Sequence, residues 1–161
     1  MIKELKVDAI KEGTVIDHIP AGKVFSIVEI LGIGEHDQVM IGTNLSSKRF
    51  GKKDVIKIEN RILSQGEIAS IALIAQNATI SIIENFKSQK KFKVEIPDTI
   101  HSVIRCPNIH CITNEEAVKS RFGVESRKPL KVRCAYCERL FDSKVDQFIL
   151  TKKSMKDLIT S

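Results

Sequence analysis

The spacing of hydrophobic residues changes several times along the first 96 residues, and each change predicts a different element. Four apolar residues recur at intervals of three and four: Val24, Ile27, Val28 and Leu31. This spacing is typical of the buried stripe of an amphipathic helix. Pro20 suits the first turn of that helix, because an N–H there would have no partner within the helix, and Gly32 suits its end.

A second helix is predicted after residue 64. Ser64 and Glu67 have the spacing of a capping box, in which each side chain satisfies a free backbone N–H at the start of a helix. Apolar residues then continue at helical intervals as far as Ala75. Asn77, a residue type that tolerates left-handed backbone, is expected to end the helix.

Most of the other apolar residues alternate with polar ones, which is the period of a strand. The strand-like segments are residues 6–19, 38–45, 55–60, 78–86 and 90–96. Residues 46–53 are expected to form a polar turn. With the two helices, these segments give the order β-α-β-β-α-β and one extra strand. This order predicts an α+β fold, a ferredoxin-like antiparallel sheet with two helices on one face.

The composition changes after residue 96. We expect residues 1–96 to form one domain, residues 97–101 a linker, residues 102–150 a small β-rich domain and residues 151–161 a C-terminal tail. The second domain has few large apolar side chains, so its core by itself would be marginal. We expect cysteines to supply the stability that this core lacks.

All four cysteines lie in the second domain: Cys106, Cys111, Cys134 and Cys137. Two close pairs separated by a loop suit a tetrahedral four-thiolate metal site, because each short knuckle directs two sulfurs to one point. Zinc is the expected metal, although iron binds the same ligands, and disulfides are disfavoured in a reducing cytosol. A closed four-cysteine site has no position for water or substrate, so the expected Zn²⁺ is structural.

The chain of 161 residues has a net charge of +6, which by itself favours a nucleic-acid-binding function. Residues 1–96 hold 14 basic and 12 acidic residues, and residues 97–161 hold 12 and 8. Four thiolates on a divalent metal would lower the net charge of the chain to about +4. A zinc-ribbon nucleic-acid-binding protein is therefore an alternative, weakened by the few aromatic side chains available for base stacking in the zinc region.

Other function classes are disfavoured by what the sequence lacks. No charge-free stretch is long enough to span a bilayer, and the first dozen residues contain no apolar signal-peptide core. We therefore expect a cytoplasmic protein. Neither glycine-rich phosphate loop of the common nucleotide-binding folds is present, and no activated nucleophile is apparent, so a free-standing enzyme is disfavoured.

Lysines in the first domain have two interpretations. Lys57 lies in the apolar-rich strand 55–58, where it either faces solvent or is directed at a bound anion. The hairpin lysines Lys87, Lys90, Lys91 and Lys93 are likewise either solvated or able to reach a phosphate. The spacing alone does not decide between these interpretations.

Several segments together resemble one family, the regulatory chain of aspartate carbamoyltransferase. The similar segments are VDAI at 7–10, GTVIDHIP at 13–20, KDVIKIEN at 53–60, ATI at 78–80, CPN at 106–108 with Cys111, and C-x-Y-C-E at 134–138. They occur in order over residues 7–138. Their combination is far more specific than any one of them.

This resemblance implies a non-catalytic regulatory subunit in pyrimidine biosynthesis. The first domain would bind the nucleoside triphosphates CTP and ATP as allosteric effectors, and the zinc domain would contact the catalytic chain. A regulatory-chain homodimer would then link catalytic trimers. We expect neither nucleic acid nor a membrane as a partner.

The resemblance also implies roles for individual residues. The nucleotide-binding residues would be Val7, Asp8, Ala9, Ile10, Val15, Asp17, His18, Lys57, Ile83, Phe86 and Lys91. Lys57 would lie at the base and ribose, and Lys91 and His18 at the phosphates. The backbone of residues 8–10 would meet the base edge. The contacts with the catalytic chain would come from Asn108, Glu138 and Arg139.

Overall fold

The computed structural model of the chain describes residues 9–142 and 145–150. The strands of its first sheet are β1 (Gly13–Pro20), β2 (Val39–Ser47), β3 (Gly51–Glu59), β4 (Thr79–Glu84) and β5 (Lys87–Lys93). The helices beside it are α1 (Val24–Leu31) and α2 (Gln65–Ile74). The strand order is β2-β3-β1-β4-β5, and all neighbours are antiparallel. This confirms the predicted ferredoxin-like sheet with one added strand.

Helix α1 forms where its apolar stripe predicts. Val24 and Leu31 are fully buried, and Gly32 adopts the left-handed backbone (φ 60°) that ends the helix. The expectation for Pro20 was wrong, because it is the last residue of β1 and its carbonyl accepts the Lys23 N–H (3.0 Å) in a turn ahead of the helix. In the described part of the chain, no helix is both long and apolar enough to cross a membrane.

Helix α2 begins as predicted but ends earlier. The Ser64 hydroxyl accepts the Glu67 N–H, and the Glu67 carboxylate accepts the Ser64 N–H, so the capping box is complete. Asn77 does not end the helix. Ala75 already leaves helical geometry (φ −133°), and its carbonyl accepts the N–H of Ala78, which enters the core fully buried.

The first sheet has a covered face and an open face. Ile16 pairs with both Ile56 and Ile80, and all three side chains are at most 1% exposed in one cluster with the buried residues of α1 and α2. Neighbouring residues along a strand point to opposite sides. The residues that alternate with these three therefore lie on the side away from the helices, which we call the open face.

The strands differ from the predictions mainly at the hairpins. β2 and β3 extend toward each other, so the turn expected over residues 46–53 consists only of residues 48–50. β5 begins before residue 90, and β1 begins only at Gly13. An exposed edge hairpin tolerates polar side chains while its backbone still pairs, and hydrophobic alternation does not detect such pairing.

The second sheet consists of β6 (Thr99–His101), β7 (Arg121–Arg127), β8 (Leu130–Cys134) and β9 (Leu140–Phe141) in that order, all antiparallel. A short helix α3 (Ile112–Glu115) and a 3₁₀ turn (Val145–Phe148) accompany it. Residues 97–101, expected as a linker, thus contain β6. This strand forms because Ile100 is buried in the core (1% exposed).

Buried side chains of the two sheets form one continuous cluster. Helix α2 packs against the 3₁₀ turn, which is fixed to the second domain by main-chain hydrogen bonds. The Arg105 N–H donates to the Phe148 carbonyl, and the Leu150 N–H donates to the Val103 carbonyl, both at 2.7 Å. The two sheets are therefore in apolar contact through α2.

Candidate metal centre and open sheet face

The four cysteines converge, as their spacing predicts. Their Sγ atoms all lie within 4.8 Å of one another, and the Cys106–Cys137 and Cys111–Cys134 sulfurs are 3.7 and 3.8 Å apart. A tetrahedron with metal–sulfur bonds of about 2.3 Å has sulfur–sulfur edges of about 3.8 Å. These separations are far longer than a disulfide bond of about 2.05 Å, and all four cysteines are free. The cluster fits a metal ion held by four thiolates.

The first knuckle is held by Asn114, which the sequence pattern does not single out. Its side-chain amide donates to the carbonyls of Cys106 (2.8 Å) and Asn108 (2.7 Å). The Cys111 N–H also donates to the Asn108 carbonyl (3.0 Å). Asn114 thereby ties α3 to the loop that carries two of the sulfurs. Its closeness to the second cysteine is the only sequence signal for this role.

The second knuckle is shaped by backbone geometry. Glu138 has left-handed backbone (φ 62°), and its N–H donates to the Cys134 carbonyl (3.0 Å). The Tyr136 N–H donates to the Cys134 sulfur (3.4 Å). These bonds turn the chain so that Cys137 returns to the cluster.

The thiols of the cluster differ in acidity. Burial raises the pKa of Cys106 and of Cys134. Burial also opposes ionisation of Cys111, but hydrogen bonds from the Thr113 hydroxyl (3.2 Å) and backbone outweigh it and lower the pKa of Cys111 to about 7. Because metal ligands must be thiolates, these bonds favour the form of Cys111 that binds a cation.

The residues predicted to contact a partner chain all lie on the two knuckles. Glu138 and Arg139 are exposed, and Asn108 is half-buried. The same knuckles expose two large side chains for which the sequence pattern predicts no contact, Ile109 (68% exposed) and Tyr136 (44% exposed). Large apolar groups left on a surface are typical of protein contacts.

Three of the residues predicted to bind nucleotide form a row across the open face. Val15 on β1 pairs with Lys57 on β3 and with Ser81 on β4, and Ser81 pairs with Lys91 on β5. Directly opposed residues of antiparallel strands point to the same side. Val15, Lys57 and Lys91 therefore share one face of the sheet. Spacing along the sequence does not reveal this row, because it depends on strand pairing.

Asp17 also lies on the open face, two residues beyond Val15. Its carboxylate is 2.8 Å from the Lys53 ammonium and accepts the His18 backbone N–H (2.6 Å). Partial burial acts to raise the pKa of Asp17, but the contacts with Lys53 and His18 outweigh it and lower that pKa. Lys53 is a residue that the sequence pattern does not connect with Asp17.

His18 occupies a bulge in β1 and has left-handed backbone (φ 58°). Its Nδ1 lies 3.2 Å from the Thr79 hydroxyl, and its ring meets the ring of Phe50 edge-on, with centroids 5.9 Å apart. The Arg49 guanidinium lies over the Phe50 ring, 5.2 Å from its centroid. The imidazole is thus held from two sides by residues distant in sequence.

Four other predicted residues lie near the opposite end of β1. Ala9 and Ile10 precede this strand, Ile83 on β4 pairs with its first residue, and Phe86 lies on the turn between β4 and β5. The Phe86 N–H donates to the Lys11 carbonyl (3.0 Å), which joins the turn between β4 and β5 to the segment ahead of β1. Val7 and Asp8 lie outside the described residues. The structure therefore places the described residues that are predicted to bind nucleotide on or beside the first sheet, whereas the cysteines lie in the second domain.

Two family models match the chain. Residues 5–95 match the aspartate carbamoyltransferase regulatory chain, allosteric domain, and residues 98–146 match the aspartate carbamoyltransferase regulatory chain, metal binding domain. The first match contains the open face, and the second contains all four cysteines.

Similar proteins cover most of the chain. The aspartate carbamoyltransferase regulatory chain of Pyrococcus abyssi is 54% identical over 142 residues, which are 86% of this chain and 93% of the relative. That of Thermococcus gammatolerans is 52% identical over 141 residues, with the same coverage, and that of Methanocaldococcus jannaschii is 45% identical over 141 residues, which are 88% and 95%. The chain therefore belongs to the family of aspartate carbamoyltransferase regulatory chains and is a non-catalytic subunit with an allosteric domain followed by a metal-binding domain.

Proposed function

We propose that the chain binds CTP and ATP on the open face of its allosteric domain and thereby regulates an aspartate carbamoyltransferase in pyrimidine biosynthesis. The row of Lys57, Val15 and Lys91 carries this proposal. It combines two cations and one apolar side chain on a single face. Three inter-strand spacings of about 4.8 Å separate the two lysines, so the row spans about 14 Å and suits an extended ligand.

In the proposed complex, Lys57 lies at the base and ribose, and Lys91 and His18 face the phosphates. Lysine and protonated histidine donate charge-assisted hydrogen bonds to phosphate oxygens. The contacts of His18 with Thr79 and Phe50 support this role, because they orient the imidazole before a ligand arrives. The backbone of residues 8–10 meets the base edge, and Ile83 and Phe86 belong to the same proposed site.

We infer that the metal is Zn²⁺ and that its role is structural. Four thiolates are the donor set typical of structural zinc, and the sulfur–sulfur separations fit its bond length. The ion would be held by Cys106, Cys111, Cys134 and Cys137, and it supplies a cross-link between the two knuckles. No substrate position is needed for this role.

The proposed partners are the catalytic chain and a second regulatory chain. The relatives are named as regulatory chains of aspartate carbamoyltransferase, and we propose that this chain likewise contacts catalytic trimers in the cytoplasm. The contact uses Asn108, Glu138 and Arg139, and the exposed Ile109 and Tyr136 beside them support a protein interface there. A homodimer of regulatory chains then links two trimers. The nucleic-acid-binding alternative has less support, because both parts of the chain match regulatory-chain families.

Regulation of this kind requires linkage between sites. A nucleotide changes the catalytic rate only if it binds one quaternary state better than another, and such coupling is typically about 1–3 kcal/mol. The test is to mix the zinc-loaded chain with purified catalytic trimers, measure complex formation by sedimentation and follow the rate against CTP and ATP. Failure to form a complex contradicts the proposed partner, and a complex whose rate ignores both nucleotides contradicts the proposed effectors.

A further inference from the structure

Arg127 connects the two domains through both its side chain and its backbone. It is the last residue of β7, and its guanidinium donates twice to the Ile96 carbonyl (3.2 and 3.1 Å) and once to the Asp98 carboxylate. Its own carbonyl accepts the side-chain amide of Gln76 (3.1 Å). Ile96 follows β5, and Gln76 follows α2. Arg127 of the second domain is therefore hydrogen-bonded to two segments of the first domain.

Arg127, Ile96 and Gln76 all line a cleft of about 630 Å³ at the junction of the domains. The lining also includes the polar side chains of Lys93, Glu95 and Lys128. Elsewhere at the junction, α2 packs on the 3₁₀ turn as part of the apolar core. Apolar packing is not directional, whereas a planar guanidinium fixes the directions of its acceptors. The bonds of Arg127 therefore fix the direction of the Ile96 carbonyl relative to the end of β7 on the side of the cleft.

Strand pairing and the Arg127 side chain together connect the open face to the metal cluster. Lys91 lies on β5, and the Val94 N–H just beyond that strand donates to the Ala78 carbonyl (3.0 Å), which keeps the continuation of β5 attached to the sheet. Ile96 follows two residues later. Arg127 ends β7, and β7 pairs with β8, whose last residue is Cys134 of the metal cluster.

We propose that Arg127 is a positioning residue that couples the nucleotide-binding face to the metal-binding domain, an inference that rests on the proposed function. Displacement of β5 by a nucleotide moves the Ile96 carbonyl, and the guanidinium passes this movement to β7 and β8. Without the guanidinium, the domains stay joined by their apolar contact but lose a fixed angle. Nucleotide binding and assembly then persist while the regulatory response is lost.

The test uses the full regulatory chain reconstituted with catalytic trimers. Allosteric effectors typically change affinity about 5- to 150-fold. We expect Arg127→Gln to lose most of the rate change that CTP and ATP produce in the wild-type complex, with unchanged metal content, assembly and nucleotide Kd. Arg127→Lys keeps the positive charge and a donor nitrogen but loses the planar fork, and it retains part of the response. The matched control is Arg121→Gln, an exposed arginine at the other end of β7, which keeps the full response.

A full nucleotide response in Arg127→Gln overturns the inference. It is also overturned if the response falls together with nucleotide affinity or assembly, because Arg127 would then support the fold and not the coupling. If the wild-type complex itself ignores both nucleotides, the proposed function fails and the coupling role fails with it. The wild-type measurement therefore distinguishes the two failures.

Discussion

At the scale of single residues, Lys57 best distinguishes a solvated strand face from a nucleotide-binding face, because only the second makes the nucleotide response depend on this lysine. It lies on β3, an inner strand of the open face, paired with Val15 on one side and Met40 on the other. We expect Lys57→Ala to abolish the response to CTP and ATP without preventing assembly, because the proposed catalytic-chain contact is on the distant metal knuckles. Nucleotide titration and sedimentation of the reconstituted complex measure the two effects.

The matched control for this variant is Lys52→Ala, which removes an exposed lysine from the same strand. We expect it to retain the nucleotide response. A normal titration by the Lys57 variant would show that this lysine only faces solvent, and the proposed position of the nucleotide would then be wrong.

Asp17 predicts how the stability of the first domain depends on pH. Its pKa is lowered in the folded chain, so its carboxylate stabilises the fold above its unfolded pKa of about 3.9, and this stabilisation is lost as the pH falls through the lower folded pKa. Asp17→Asn removes the titrating group. Urea unfolding should therefore show a less steep loss of stability from about pH 5 to about pH 3 in the variant than in the wild type.

Glu35→Gln provides the comparison for Asp17→Asn, because its carboxylate is almost fully exposed (86%). We expect this variant to follow the wild-type curve. Equal slopes for the Asp17 variant and the wild type would mean that the contact with Lys53 does not stabilise the folded chain in solution.

At the scale of elements, the fully buried Asp54 on β3 joins α1 and β2 to the centre of the sheet. Its carboxylate accepts the backbone N–H groups of Gly22 (2.7 Å) and Val24 (3.2 Å) at the start of α1, and that of Asn44 (2.8 Å) in β2. Hydrogen bonds to charged groups contribute about 1.5–3 kcal/mol each. Asp54→Ala should therefore lower the free energy of unfolding by about 3 kcal/mol or more, measured by urea denaturation.

The graded control is Asp54→Asn, which keeps one carbonyl acceptor of similar shape. It should destabilise the first domain less than Asp54→Ala does. A loss below about 1 kcal/mol in the alanine variant would mean that water replaces the carboxylate at all three N–H groups.

The elements that the sequence predicts well are those determined by a local pattern. The stripe of α1 and the capping box of α2 depend on residues three or four positions apart, so both helices can be located from the sequence. The extension of the β2 and β3 hairpin forms by pairing between polar segments, and strand β6 forms by pairing with the distant β7. Such pairing overrides weak local propensity, so the sequence predicts neither the extension nor β6.

The same distinction applies to the candidate site. The cysteines are found from their spacing because a metal knuckle is a short local loop, whereas the roles of the nucleotide-site residues came from family resemblance. The row through Lys57 and Lys91 required the register of four strands. The contact of Arg127 with Ile96 joins residues 31 positions apart and has no local signal at all.

At the scale of the whole molecule, we expect the metal to determine whether the second domain folds, and the shared core to determine how far the effect of metal loss spreads. Structural zinc binds small domains with about 10–16 kcal/mol, which equals or exceeds the stability of a typical domain, about 5–15 kcal/mol. The two knuckles converge at the four sulfurs. Removing the ion therefore removes the main cross-link of a domain that has few large buried side chains.

We expect chelation of the metal, or Cys106→Ser or Cys137→Ser, to unfold residues 101–150 and to prevent assembly with the catalytic chain. Hydrogen exchange should show lost protection in β7 and β8, while β1 and β3 keep theirs, because β1 and β3 pair with each other in the interior of the first sheet and carry none of the cysteines. Helix α2 should lose part of its protection, since it packs against the 3₁₀ turn. Adding Zn²⁺ back to the chelated wild-type chain should restore all three regions. Unchanged exchange in β7 and β8, or a stable complex formed by the Cys137 variant, would mean that apolar contact with the first domain is sufficient to hold the second domain folded without its metal.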